Sequence, residues 1–111
     1  MIIDRNIKNY LILDQEPIRN ALKKVDANEE GMVVCVDNAG LIIGALTDGD
    51  FRRWVISEGK PDLELPVSNI INRDFISAMV TDSHERISTL LNHRVQFVPL
   101  TDQSGRCVAL A

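Results

Sequence analysis

Met32-Val33-Val34-Cys35-Val36, Asp37-Asn38-Ala39-Gly40 and Leu41-Ile42-Ile43-Gly44-Ala45-Leu46 follow one another without interruption. The first and third stretches are short apolar runs, and the middle one has the composition of a tight turn. Together they predict a β-hairpin. Thr47-Asp48-Gly49-Asp50 comes next, and the spacing of Phe51, Trp54 and Val55 predicts a helix that opens at about Asp50. Gly59 ends that helix and Pro61 prevents its continuation.

The same pattern returns near the end of the chain. Phe97-Val98-Pro99-Leu100-Thr101 is an apolar run, Asp102-Gln103-Ser104-Gly105 a turn, and Arg106-Cys107-Val108-Ala109-Leu110 a returning strand. Asp37 matches Asp102 and Gly40 matches Gly105. A repeat of this kind is a strong organisational signal. Each hairpin is preceded by an amphipathic segment. Ile18, Ala21, Leu22 and Val25 make one helical stripe, with Pro17 in the first turn and Asp14 as a candidate cap. Ile87, Leu90 and Leu91 make the second stripe, with Asp82 or Ser83 as its cap and Glu85 and Arg86 facing water. Residues 59–69 read as a connector punctuated by Pro61 and Pro66, with Val67, Ile70 and Ile71 on a short amphipathic turn. The expected organisation is therefore two units, 1–64 and 65–111, the second lacking a counterpart of the Phe51–Val55 helix. A strand running straight to Ala111 reads either as a cut from a longer protein, the favoured reading, or as a naturally short second repeat.

Composition limits the function. The chain has 111 residues, 45% hydrophobic and 25% charged, with a formal net charge of −4. That is enough apolar material for one ordinary core, and the acidic balance argues against a nucleic-acid partner. No apolar run has the length of a membrane span, and no signal peptide is visible, so cytoplasm is the expected compartment. Cys35 and Cys107 read as two buried, reduced thiols. His84 and His93, at the start and near the end of the second amphipathic helix, are far from either cysteine and read as solvated. Asp48 and Asp50 alone make a weak cation site. Neither a catalytic nor a metal site is expected.

The strand-to-helix junction at Thr47–Asp50 is the candidate site. The first N–H groups of a helix lack partners and its dipole is positive there, so such a junction attracts phosphate. Thr47 adds a hydroxyl, and Gly44 and Gly49 offer close approach to the backbone. Arg52 and Arg53 offer positive charge. Asp48 and Asp50 would repel a phosphate, and a carboxylate there is better suited to a sugar diol. The competing reading is structural: Thr and Asp at a helix start are commonly caps, and Asp-Gly is commonly a turn.

The repeat and the junction together resemble the tandem CBS (cystathionine β-synthase) domain pair, or Bateman module. The matching pattern is helix, strand, D-x-x-G turn, strand, then G-h-h-[ST]-x-x-[DN] with h apolar, here Gly44-Ala45-Leu46-Thr47-Asp48-Gly49-Asp50. The resemblance covers nearly the whole chain. It implies an α+β fold of two β-α-β-β-α repeats in a pseudo-twofold pair, with small mixed sheets and helices on one side. It implies that Thr47 contacts the phosphate and Asp50 the ribose of AMP, ADP or ATP as a regulatory ligand, with Asp48 and Arg53 nearby. Ile12, Val34 and Ala45 are the candidates to pack against the base, and Ser77 and Pro99 are further candidates to line the cleft. Ala109 stands where Gly44 does, and the second Thr and Asp positions are absent, so one competent site is expected. The run Leu46-Thr47-Asp48-Gly49-Asp50-Phe51-Arg52-Arg53 is similar to that of CBS pairs in bacterial sugar pathways. Those accompany sugar-1-phosphate nucleotidyltransferases, sugar-phosphate isomerases and sialic-acid-type synthases, with the first as the nearest resemblance. The resemblance also implies a homodimer through helical faces bearing Phe51, Trp54 and Val55, and a fused or associated catalytic domain. The alternative function is a ligand-free dimerisation scaffold.

Overall fold

The computed structural model describes all residues from Met1 to Ala111. Strand β1 (Leu11–Leu13) leads through helix α1 (Ile18–Asn28) to β2 (Met32–Val36), which turns back as β3 (Ile42–Thr47). Helix α2 (Asp48–Glu58) follows without a break. After the connector come β4 (Ala78–Met79), α3 (His84–Leu90), β5 (Pro99–Thr101) and β6 (Cys107–Leu110). These form two three-stranded sheets, β1-β2-β3 and β4-β5-β6. In each, the first pair is parallel and the second antiparallel. A parallel pair needs a crossover, and α1 and α3 supply it.

Strand β2 shows why the fold needs an unbroken apolar run. All five of its residues are buried. Side chains alternate across a strand, so Val33 and Cys35 face one way and Met32, Val34 and Val36 the other. Val33 and Cys35 join Ile12, Ile18, Ala21, Val25 and Leu46 in a core beneath α1 and α2. Met32, Val34 and Val36 join Ile7 and Leu110, with Phe97 and Cys107 packed alongside, in a second core between the two sheets. A third core gathers Ile87 of α3 with Ala78, Val98, Leu100 and Ala109. Each sheet thus carries helices on one face and meets the other sheet on its opposite face.

The two hairpins share their turn bonds to the backbone. Asp37 Oδ1 accepts from the N–H groups of Ala39 and Leu41, and Asp102 Oδ1 from those of Ser104 and Arg106. Gly40 and Gly105 take φ of 86° and 87°, the left-handed region that glycine enters without a Cβ penalty. The strand register shifts between Cys35 and Val36 in one sheet and between Leu100 and Thr101 in the other. The turns also touch reciprocally. The N–H of Ile42 donates to the carbonyl of Gly105, and that of Cys107 to the carbonyl of Gly40.

Local capping departs from the sequence expectation in two places. Helix α2 begins at Asp48, with Thr47 as its cap, so the junction lies earlier than Asp50. At α1, Pro17 is the cap residue and Asp14 makes no cap bond. The N–H groups of Ile18 and Arg19 instead donate to the carbonyls of Leu65 and Leu63, so the connector caps the helix. Ser83 caps α3 as expected, accepting from the N–H of Arg86. That helix stops at Leu90, which leaves His93 beyond it and exposed.

Candidate functional site

Thr47 and Asp50 form a capping box. The N–H of Asp50 donates to Thr47 Oγ1 at 3.1 Å, and the N–H of Thr47 donates to Asp50 Oδ2 at 3.0 Å. Two backbone donors at the helix start are satisfied in this way. The Arg53 guanidinium donates to Asp50 Oδ1 at 2.7 Å, and Arg52 pairs with Asp48 at 3.1 Å. So the two arginines that the sequence offers to a phosphate are both engaged by carboxylates of their own helix.

Chemical capacity remains at the junction. Thr47 Oγ1 accepts one bond and keeps its own proton to donate. Each oxygen of Asp50 keeps a second lone pair. The Asp50 side chain is 20% exposed, and it lines a cleft of about 170 Å³ with Ala45 and Thr47. The rest of its lining comes from later in the chain and includes Asn72, Phe75, Ile76, Arg94, Gln96 and Phe97. A second recess of about 440 Å³ shares Thr47, Arg94, Gln96 and Phe97 with the first and extends to Tyr10, Gly31 and Met32. Its volume lies in the range of small-molecule sites, about 300–1,000 Å³.

The other sequence candidates go elsewhere. Ile12 is buried in the core under α1, and Val34 in the core between the sheets. Neither lines the cleft. Both are large side chains on strands covered on both faces, and packing claims them. Asp48 points to a different recess, beside Leu22, Val25 and Phe51. Pro99 is fully buried, and Ser77 is exposed away from the cleft lining.

The two glycines also serve the chain itself. A Cβ on Gly44 would stand 2.7 Å from Ile71 Cδ1 and 2.9 Å from the carbonyl oxygen of Asn72. Gly44 therefore admits the connector rather than a ligand. That connector is bonded there: Ala45 and Asn72 exchange both N–H···O bonds, at 2.9 and 2.7 Å. A Cβ on Gly49 would meet the Arg53 guanidinium at 3.3 Å.

The Asn72 crossing has a counterpart on the other sheet. Asp4 and Leu110 exchange bonds at 2.8 and 2.9 Å in the same manner. Asp4 Oδ1 accepts from the N–H of Asn6, and Asn72 Oδ1 from that of Asp74. Ile3-Asp4-Arg5-Asn6 and Ile71-Asn72-Arg73-Asp74 are thus a second repeated motif. The polar swap between Asp and Asn hides it from a search for hydrophobic periodicity. It was the available signal for the residues that line the far wall of the cleft.

Neither thiol is a nucleophile at neutral pH. Burial, with Asp14 adding to it against an opposing effect of Arg73, pushes Cys35 up to about 12. Burial pushes Cys107 up to about 11 against a bond to the carbonyl of Ala109. A thiol held protonated is unreactive. Both are unbridged; Cys107 is only half-buried, where the sequence reading had it fully inside. No helix is long and apolar enough to cross a membrane.

No family model matches the chain. Arabinose 5-phosphate isomerase GutQ of Salmonella typhi is 24% identical over 90 residues, which is 80% of this chain and 27% of that protein. The chain thus spans about a quarter of the length of the curated relatives it matches. Among solved structures, the CBS domain NE2398 is 25% identical with a TM-score of 0.74, over 90% of this chain and 77% of its own. The CBS domain protein PAE2072 from Pyrobaculum aerophilum, solved in complex with AMP, is 19% identical with a TM-score of 0.73, over 91% and 77%. The sheets, their topology and these likenesses agree: the chain has the α+β fold of a tandem CBS-domain pair.

Proposed function

We propose that the cleft between the two repeats, 1–64 and 65–111, binds an adenine nucleotide, and that the chain is the regulatory module of a longer protein. The observation that carries this reading is the meeting of Thr47, Asp50 and Ala45 with a wall from the second repeat. Thr47 donates its free hydroxyl proton to the phosphate, beside the positive end of α2. Asp50 accepts from the ribose hydroxyls with its remaining lone pairs, and Arg53 holds that carboxylate in place. The base lies against Ala45 and Phe97. Support for the ligand class comes from the AMP complex of the similar Pyrobaculum aerophilum protein.

The regulated activity is read as one of sugar-phosphate or sugar-nucleotide metabolism. The Leu46–Arg53 run fits a nucleotidyltransferase module, and the curated relatives are sugar-phosphate isomerases. Calorimetry with AMP, ADP and ATP tests the site. Asp50→Ala is expected to abolish binding that wild type shows at millimolar ligand or below. Wild type silent toward all three would remove the reading.

One observation favours a second function alongside it. On α2, Ile56 is 81% exposed, and Phe51, Trp54 and Val55 are half-buried, with the Phe51 and Trp54 rings 6.0 Å apart. The half-exposed edge bearing Phe51, Trp54 and Val55 suits a homodimer; Ile56, five residues on from Phe51, lies on a different face of the helix. A dimer unchanged by Asp50→Ala and insensitive to nucleotide would support a scaffold instead.

A further inference from the structure

Charge around the cleft is unevenly distributed. Asp50 and Asp74 line the smaller recess, and Asp4 and Glu30 the larger. One cation lines both, Arg94. The arginines of α2 are spent on Asp48 and Asp50. Lys24 is held on another face by the carbonyls of Lys8 and Leu11. Arg94 has no ion pair and its guanidinium makes no hydrogen bond to the protein. Its backbone is nonetheless fixed. Asn92 Oδ1 accepts from the N–H groups of Arg94 and Val95, and the N–H of Asn92 donates to the carbonyl of Val95. The turn presents one free guanidinium to the space that Thr47 also lines.

We infer that Arg94 sets the phosphate count of the ligand, so that the cleft takes a nucleoside monophosphate and discriminates against the triphosphate. This rests on the nucleotide reading of the cleft and specifies it. A guanidinium can grip one phosphate through two parallel N–H···O bonds. A single phosphate beside Thr47 is then met by one full charge and the helix dipole. Each further phosphate adds negative charge with no second cation to receive it. The four carboxylates that line the two recesses oppose it.

Calorimetry on the full chain with adenosine, AMP and ATP, without divalent cation, tests this. Wild type is expected to bind AMP about tenfold more tightly than adenosine, the scale of a charge-assisted bond, and ATP more weakly than AMP. Arg94→Gln removes most of the preference of AMP over adenosine, leaving the smaller part that Thr47 and the helix dipole supply, and leaves adenosine unchanged. Arg94→Lys restores part of the difference, because the charge returns without the fork. ATP binding as tightly as AMP overturns the inference, and so does an Arg94→Gln variant that keeps the AMP preference undiminished. In both cases adenosine binding survives and the nucleotide reading stands. Failure of wild type to bind adenosine, AMP and ATP alike removes both readings together.

Discussion

The two halves of the molecule agree most closely where the chain touches itself and differ where one strand is crossed by another segment. Their hairpin turns share an Asp, a left-handed Gly, the same bonds from the Asp side chain to the backbone and the same register shift. Four residues beyond each turn glycine they part: Gly44 in β3, Ala109 in β6. The reason lies in the segment that passes over each. At Gly44 the crossing chain brings Ile71 Cδ1 and the Asn72 carbonyl to where a Cβ would be. At Ala109 a methyl is accommodated and fully buried. Symmetry of the backbone bonds therefore does not enforce symmetry of packing. A glycine that looks like an opening for a ligand is an opening for the connector.

Substitution at that position gives the largest expected effect. Gly44→Ala sets a methyl against a backbone carbonyl and should destabilise the fold by about 2–3 kcal/mol. Ala109→Gly should cost only about 0.5–1 kcal/mol. Chemical denaturation of both variants measures the contrast, and equal losses would break it. The turns should instead behave alike. Gly40→Ala and Gly105→Ala each force a Cβ into left-handed backbone and should each cost about 1–2 kcal/mol. A gap between them larger than the error of measurement would show that the turns are not equivalent in energy. The smallest effect concerns Asp102. Desolvation in its turn raises the carboxyl, but the N–H groups of Arg106 and Ser104 and the Arg106 guanidinium outweigh it and hold the group below its ordinary value. A depressed carboxyl stabilises the fold above its unfolded value, about 3.9, and loses that contribution as pH falls through the folded value. The stability difference between wild type and Asp102→Asn should thus be present at neutral pH and shrink on acidification. A difference that is independent of pH would assign the turn's strength to shape alone.

Much of the fold was legible because hydrophobic patterning governs it. The alternation Val33, Cys35 against Met32, Val34, Val36 is continuous, and the matched turns at Asp37 and Asp102 mark the repeat. Thr47, Asp50 and Ala45 were legible as cleft residues through local spacing and resemblance. Ile12 and Val34 lie in the cores; apolarity alone does not say whether a side chain meets a cavity or a neighbour. The far wall was invisible for a different reason. Asn72, Phe75, Arg94 and Phe97 reach the cleft only through long-range pairing. Its one sequence trace, the Ile3–Asn6 and Ile71–Asp74 echo, exchanges Asp and Asn at both polar positions. The arginines of α2 illustrate the same limit. Nearness in sequence to Thr47 suggested a phosphate role, and nearness in space to Asp48 and Asp50 took it up.

The exchanged bonds at Asp4–Leu110 and Ala45–Asn72 have a consequence for how the chain folds. One edge strand of each sheet, β3 or β6, is bridged by the segment that introduces the other sheet. Separated halves would each expose an unpaired edge and a bare apolar face, the features that drive strand-to-strand aggregation. The fold is therefore expected to melt as one cooperative unit rather than as two, with a single transition in calorimetry as the check. Its slow step is the bringing together of ends far apart in sequence, the entropic cost that makes non-local pairing slow.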